Sequence, residues 1–170
     1  MKTKIFIAAS CLMLSVFAFG QNVQPVKADN VALEVKKSVQ SGFYEITINQ
    51  AHPTGGQVLY LNSDYSIRIS GDSIFVHLPY FGRIYSAPIN YEDGGIKFAN
   101  SMNGYKVNYK KGKSHSINFT AKVPDDTYRF SITLWTNGKA TVNVSCSKRQ
   151  GISYMGNLNL SQSTFLMSPV

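Results

Sequence analysis

The chain has 170 residues, of which 44% are hydrophobic and 15% are charged, and its formal net charge at pH 7 is +8. That length suits one domain with a real hydrophobic core. Its two cysteines, Cys11 and Cys146, exclude a scaffold built on internal disulfides, because Cys11 lies in the leader segment described next. The basic residues are spread along the chain, which argues against a nucleic-acid-binding protein.

The N-terminus has the pattern of a secretory signal peptide. Lys2 and Lys4 precede an apolar run, and small residues precede a cleavage point after Gly20. The run is shorter than the ~20 residues that a membrane-spanning helix needs. We therefore predict removal of residues 1–20 and export to the periplasm or cell envelope, with no transmembrane segment in the mature chain. The alternative is a lipid anchor on Cys11, which has small residues before it but no leucine at the −3 position.

The remaining chain is predicted to divide into three parts. Residues 21–30 form a polar lead, residues 31–160 form a single β-rich domain, and residues 161–170 form a C-terminal tail. No low-complexity linker separates further domains.

A short helix is predicted at the start of the domain. Asp29 or Asn30 supplies an N-cap, and Gly42 supplies a stop. Its narrow apolar stripe consists of Val31, Val35 and Val39. Such a helix is marginal alone, so we expect it to plug the end of a sheet or barrel.

From Phe43 onward, apolar and polar residues alternate, as in strands with one buried and one solvated face. The apolar positions are Tyr44, Ile46 and Ile48; Ile67 and Ile69; Ile74, Val76 and Leu78; Ile96 and Phe98; Tyr105, Val107 and Tyr109; Ile117, Phe119, Ala121 and Val123; Tyr128, Phe130, Ile132 and Leu134; and Ala140, Val142 and Val144. Turn residues recur roughly every 8 to 12 positions, which indicates antiparallel hairpins. We predict an all-β fold of about ten short strands with one N-terminal helix. It is either an up-and-down barrel of lipocalin type or a two-sheet sandwich, and closure favours the barrel because it hides the strand edges.

Several motifs resemble a known family. They are Pro53-x-Gly55-Gly56, Ser63-Asp64-Tyr65, Ser70-Gly71-Asp72-Ser73, Leu78-Pro79-Tyr80-Phe81-Gly82-Arg83-x-Tyr85, Asp93-Gly94-Gly95-Ile96-x-Phe98 and Arg149-Gln150-x-Ile152-Ser153-Tyr154-x-Gly156. Together they resemble the domain-of-unknown-function family numbered 4251, exported proteins of Bacteroides-type bacteria, from Val31 to about Leu158. The resemblance implies an envelope location and a compact β-rich domain, and it brings no activity, ligand or catalytic residue.

The aromatic segment after Leu78 is the strongest candidate for a binding site. Pro79, Gly82 and Pro88 keep it irregular, so its rings and its arginine can line the rim of a barrel or sheet. The predicted ligand-binding residues are Tyr80, Phe81, Arg83, Tyr85 and Tyr91, with His77 and Trp135 as additional contacts. The ligand would be a small apolar or amphiphilic molecule or a glycan. The competing interpretation is that these rings close the core beneath a long loop.

Signals for catalysis and metal binding are weak. The sequence contains no Gly-x-Ser-x-Gly, Cys-x-x-Cys or His-Glu-x-x-His motif, so we predict no catalytic residue, metal or cofactor. His52 and His115 are expected in solvated turns or strand ends, and Cys146 is expected to be a buried structural thiol. Six acidic residues fall in predicted turns, namely Asp64, Asp72, Glu92, Asp93, Asp125 and Asp126.

These observations favour a non-enzymatic binding or envelope accessory protein of unknown oligomeric state. One alternative is a hydrolase acting on envelope polysaccharide or peptide through converging acids and His77. Another is a structural protein that docks a second envelope protein through a sheet edge or aromatic patch. The lysines at 110, 111 and 113 are expected to form a solvated hairpin tip, or otherwise to bind anionic envelope polymers weakly.

Overall fold

The computed structural model describes residues 28–86, 94–124 and 126–160. In that part of the chain, helix α1 spans Ala28–Ser41, and eight strands span Phe43–Pro53 (β1), Leu59–Ser70 (β2), Ser73–Leu78 (β3), Ile96–Lys110 (β4), Ser114–Val123 (β5), Asp126–Trp135 (β6), Lys139–Ser145 (β7) and Ile152–Leu158 (β8). Consecutive strands pair antiparallel, and β8 pairs with β1, so the sheet closes into a barrel. The predicted up-and-down barrel is confirmed, and the sandwich alternative is wrong.

Up-and-down connections give the barrel two distinct ends. We call one the helix end, because α1 and the β2–β3, β4–β5 and β6–β7 turns lie there. We call the other the loop end, where the β1–β2, β3–β4, β5–β6 and β7–β8 connections lie.

Helix α1 lies over the helix end, as its apolar stripe predicts. Val35 and Val39 are buried in the barrel core, and Val31 lies beside Gly138 in the β6–β7 turn. Gly42 follows the helix with a φ of 72°, a conformation that glycine adopts without strain. Tertiary packing of this stripe therefore stabilises a helix that would be marginal in isolation.

The barrel has eight strands rather than about ten, because two predicted strands join. The alternating runs that begin at Ile96 and end at Tyr109 belong to one long strand, β4. A register shift lies between Asn103 and Lys106, and Gly104 between them has a φ of 67°. Such a bulge bends a strand without ending it, whereas a glycine in the sequence suggests a turn.

The inward-facing side chains fill the barrel. Tyr44 and Tyr154 are fully buried, and the rings of Phe119 and Phe130 stack with centroids 5.0 Å apart. Burial of each large apolar side chain contributes about 1.5–3 kcal/mol. An eight-stranded barrel has room for little more than its own side chains, which places binding surfaces at its ends and on its wall.

One stretch departs from the predicted pattern of a buried face. Tyr105, Val107 and Tyr109 point inward from β4, yet Val107 is 37% and Tyr109 is 55% exposed. The reason is the shortness of β3, which pairs with β4 only as far as Ser101. The second half of β4 therefore extends past its neighbour and leaves its apolar face partly open at the helix end.

Candidate functional site

The predicted aromatic segment closes the loop end by pairing with the β7–β8 connection. The Tyr85 N–H donates a hydrogen bond to the Lys148 carbonyl at 2.8 Å. In the opposite direction, the Gln150 N–H donates to the Arg83 carbonyl at 2.9 Å. The two connections therefore form a short antiparallel ladder across this end of the barrel.

Two tyrosine hydroxyls hold the same closure from inside. Tyr80 Oη lies 2.8 Å from the Arg83 carbonyl oxygen and 2.9 Å from that of Gln150. Tyr154 Oη donates to the Pro79 carbonyl at 2.6 Å in a buried position. Burial raises the pKa of both hydroxyls, so they remain protonated donors. The position of Tyr80 therefore favours the interpretation that the aromatic segment closes the core over the interpretation that Tyr80 contacts a ligand.

Arg149 belongs to one of the motifs found in the sequence, but its role at this end was not predicted. Its side chain is only 7% exposed, and Nη1 donates to the carbonyls of Gly95 at 2.9 Å and Gly94 at 3.4 Å. The guanidinium also lies 5.1 Å from the Tyr80 ring centroid. One side chain thus links both sides of the β3–β4 connection to the β7–β8 connection. The motif that contains Arg149 does not indicate these contacts, because the partners are distant in the chain.

Asp126 fixes the neighbouring β7–β8 connection. Its carboxylate accepts hydrogen bonds from the backbone N–H groups of Thr127, Ser147 and Lys148 and from the Ser147 hydroxyl, at 2.7–3.2 Å. Partial burial by itself would raise the pKa of Asp126, but these donors outweigh it and hold the pKa far below its usual range. Nearby, burial raises the pKa of the half-buried Cys146 thiol, with the Asp126 carboxylate adding to the effect.

Three predicted ligand residues remain exposed beside this closure. Phe81 is 41% and Tyr85 is 65% exposed, and the Arg83 side chain is exposed with them. Tyr91 lies outside the described residues. Together Phe81, Arg83 and Tyr85 form a small patch on the outside of the loop end, which we call the loop-end patch.

His77 and Trp135 do not lie in that patch. His77 is on the outer wall of β3 and makes an edge contact with the Tyr65 ring at 5.2 Å between centroids. Trp135 ends β6 and therefore lies at the helix end. One small ligand cannot contact both Trp135 and Tyr80, because the length of the barrel separates them.

A half-open groove lies at the helix end, between α1 and the extended half of β4. We call it the helix-end groove; it encloses about 420 Å³. It is lined by Lys36, Val39, Gln40, Tyr105, Val107, Tyr109 and His115. Its lining is largely apolar, with a few polar groups at defined positions, as in many small-molecule sites.

His115 forms part of this groove, and the prediction that it is solvated is wrong. Its side chain is 5% exposed, because the strand end that carries it is covered by α1 and by the Tyr109 ring, whose centroid lies 4.9 Å away. Burial lowers the pKa of His115, and the positive charge of Lys36 lowers it further. The imidazole is therefore neutral at pH 7.

The groove has a fixed polar contact at its inner side and positive charge at its rim. Tyr105 Oη lies 3.1 Å from Tyr44 Oη, and burial raises the pKa of both hydroxyls. Lys36 lines the groove, and three further lysines lie at the end of β4 (110) and in the β4–β5 turn (111 and 113), at the same end of the barrel. An apolar cleft with a cationic rim suits a ligand that has an apolar body and an anionic group.

Comparison with known proteins identifies the family. The family model described as a domain of unknown function, DUF4251, matches residues 27–158. The chain belongs to the DUF4251 family. This result confirms the resemblance carried by the motifs, and the matched range includes both barrel ends.

A solved member of the DUF4251 family has the same fold. The crystal structure of a DUF4251 family protein from Bacteroides eggerthii DSM 20697, determined at 1.95 Å resolution, aligns over 82% of this chain and 95% of that chain, with a TM-score of 0.62 and 16% sequence identity. At that identity the match shows a shared fold alone. A comparison with curated proteins gave no match.

Two kinds of structural feature are absent from residues 28–86, 94–124 and 126–160. No helix among them has the length and apolar character needed to cross a membrane. Within the same residues, no three histidine, cysteine or acidic side chains come together as a possible metal site.

Proposed function

We propose that this DUF4251 family member is an exported binding protein that holds an amphiphilic anion, such as a fatty acid, in the helix-end groove. The observation that carries the proposal is the exposure of Val107 and Tyr109 on the inward side of β4. Most inward-facing apolar side chains elsewhere in the barrel are covered, and here they line an opening large enough for a small ligand. The signal-peptide pattern supports export.

Charge favours an anionic head group over a neutral one. Lys36 lines the groove, the lysines at 110 and 111 follow Tyr109 in the chain at the same end of the barrel, and His115 adds a neutral ring inside. A carboxylate at the rim would gain attraction from these ammonium groups while its alkyl chain covers Val107. Contacts at such an exposed rim are weakened by salt, so affinity should fall as ionic strength rises.

A fluorescence titration with dansyl-undecanoic acid tests the proposal. We expect saturable binding to the purified protein, and at least tenfold weaker binding after Val107→Asp, because the new carboxylate repels the head group and disrupts the apolar lining. Val58→Asp is the matched control: Val58 is 44% exposed but precedes β2 at the loop end. Absence of saturable binding to the wild-type protein, or equal weakening in both variants, would contradict the proposal.

The choice of head group has its own test. Undecanoic acid should displace the probe more effectively than undecanol, and Lys36→Gln should reduce that difference. If the acid and the alcohol compete equally in the wild-type protein, the groove binds an apolar chain without regard to charge.

The loop-end patch supports a second candidate function, docking of another envelope protein. Phe81 and Tyr85 are exposed in a segment that Arg149 and the backbone ladder hold in place, and Arg83 lies between them. Exposed aromatic and arginine side chains are enriched at interfaces. Cross-linking in the host envelope should capture a partner that is lost in a Phe81→Ser, Tyr85→Ser double variant. Recovery of the same partner with that variant would exclude this surface.

The hydrolase alternative has little support. Among the described residues, no carboxylate hydrogen-bonds His77, whose closest ring contact is with Tyr65. A general base normally needs such an orienting partner.

A further inference from the structure

Trp135 belongs to a second pocket, on the outer wall of the barrel near the helix end. The pocket encloses about 490 Å³ and is formed by β1, β6, β7, β8 and the β6–β7 turn. Trp135 and the 40% exposed Met155 provide its apolar surface. Asn49, Gln50, Asn137 and Asn157 surround them with amide groups, and Lys139 adds one positive charge. We call this the wall pocket.

A β-bulge places two of these amides side by side. The register of β1 shifts between Ile48 and Gln50 on both of its neighbours, β2 and β8. Ile48 and Ala51 are buried, whereas the two residues between them both lie on the outer surface. A regular strand would turn one of Asn49 and Gln50 inward, so the bulge gives the wall pocket one more polar side chain.

Gly156 makes this bulge possible. It pairs with Ile48 on β1 and with Ala140 on β7, directly beneath the wall pocket. A Cβ at this position would overlap the Thr47 carbonyl oxygen and lie 3.1 Å from Ile48 Cα. A glycine on β8 thus leaves room for the bulge on β1, and a regular barrel wall could form without that bulge.

The fold itself makes little use of the four amides. Gln50 Oε1 contacts His52 Nε2 at 3.1 Å, and Asn137 Oδ1 accepts from the Lys139 N–H at 3.1 Å. Within residues 28–86, 94–124 and 126–160, no hydrogen bond occupies the NH₂ group of Gln50 or Asn137, and none involves the side chain of Asn49 or Asn157. The amides therefore remain available to a ligand as both donors and acceptors.

We propose that the wall pocket binds a neutral oligosaccharide. A pyranose ring offers an apolar C–H face that packs on an indole, and hydroxyl groups that both donate to and accept from amides. A phosphate or sulfate polymer would require several cations, and Lys139 is the one lysine or arginine among the residues that line this pocket. The wall pocket is separate from the helix-end groove and shares none of its lining residues.

Trp135 allows a specific test, because it is the only tryptophan in the chain. The purified protein is screened against a panel of neutral glucans, mannans, galactans and N-acetylglucosamine oligomers, with intrinsic fluorescence as the readout. We expect at least one class to change the Trp135 emission saturably. No fluorescence change and no retention on any immobilised member of the panel would overturn the proposal.

Variants then locate the binding. Asn157→Ala and Asn49→Ala should each weaken binding of the selected oligosaccharide several-fold, and Trp135→Ala, measured by calorimetry, should weaken it at least tenfold. Asn108→Ala is the matched control, since Asn108 is an exposed asparagine on the wall of β4. Because Asn49 and Asn157 are exposed, their variants remain informative even if Trp135→Ala fails to fold. Unchanged affinity in both asparagine variants, or equal weakening in Asn108→Ala, would show that the wall pocket is not the site.

Discussion

The two ends of the barrel use aromatic side chains in opposite ways. At the loop end, Tyr80 and Tyr154 direct their hydroxyls to backbone carbonyls, and Arg149 is buried among them. At the helix end, Val107 and Tyr109 face a half-open groove under α1. The segment with the most distinctive sequence is thus largely a structural closure, whereas an ordinary alternating run forms the cleft. Substitutions at the loop end should therefore affect stability, and substitutions at the helix end should affect binding.

The largest loss of stability is expected for Arg149→Met. The variant removes two hydrogen bonds to the Gly94 and Gly95 carbonyls and the contact with the Tyr80 ring. The free energy of unfolding should fall by about 2–4 kcal/mol, because two part-buried carbonyls lose a charged donor. Urea denaturation measures it, and Arg83→Met is the control, since that side chain is exposed. Equal effects of the two variants would contradict the structural role of Arg149.

Asp126→Asn should cause the next largest loss, lowering the free energy of unfolding by about 1–2 kcal/mol near neutral pH. The reason is that a charged acceptor of four hydrogen bonds becomes a neutral one. The pKa of Asp126 is held below its ordinary value of 3.8, so its contribution is present above that pH and is lost as pH falls below it. Between pH 5 and pH 2, the free energy of unfolding should therefore fall less steeply with decreasing pH for the variant than for the wild type. Asp72→Asn, in the exposed β2–β3 turn, is the matched control.

Tyr154→Phe should lower the free energy of unfolding by about 1–1.5 kcal/mol, because the buried Pro79 carbonyl loses its donor while the ring still fills the core. Tyr85→Phe is the comparison, since Tyr85 is 65% exposed and its hydroxyl should matter little. Thermal unfolding distinguishes the two variants. A similar melting temperature for Tyr154→Phe and the wild type would mean that the hydroxyl does not hold the loop end.

His115→Gln should produce the smallest change in the free energy of unfolding, under about 1 kcal/mol. The change should be visible mainly in how that free energy depends on pH. The pKa of His115 is lowered from 6.5, so folding favours the neutral ring, and wild-type stability should fall as pH drops below about 6.5. The His115→Gln variant should lack this loss of stability between pH 7 and pH 5, and His52→Gln is the matched control. Identical profiles for the wild type and His115→Gln would show that the ring is not buried in the neutral form.

The fold could be predicted well from the sequence, and the sites could not. The alternation of apolar and polar residues around Ile46 and Ile132 predicts which face of a strand is buried. The valine stripe of α1 likewise predicts which side of the helix packs on the barrel. These signals are local. The contact of Arg149 with Gly95 joins residues 54 positions apart, and the exposure of Val107 depends on where β3 begins.

By itself, the sequence determined the helix, the alternating strands and the family, because each of these can be predicted from the identity and spacing of nearby residues. Only the tertiary structure decided that the sheet closes, that Tyr80 is used in a closure, and that Trp135 lies at the opposite end from it. The physical reason is that strand register and barrel closure bring together residues from distant hairpins. Whether an apolar side chain is covered depends on those partners rather than on its neighbours in the chain.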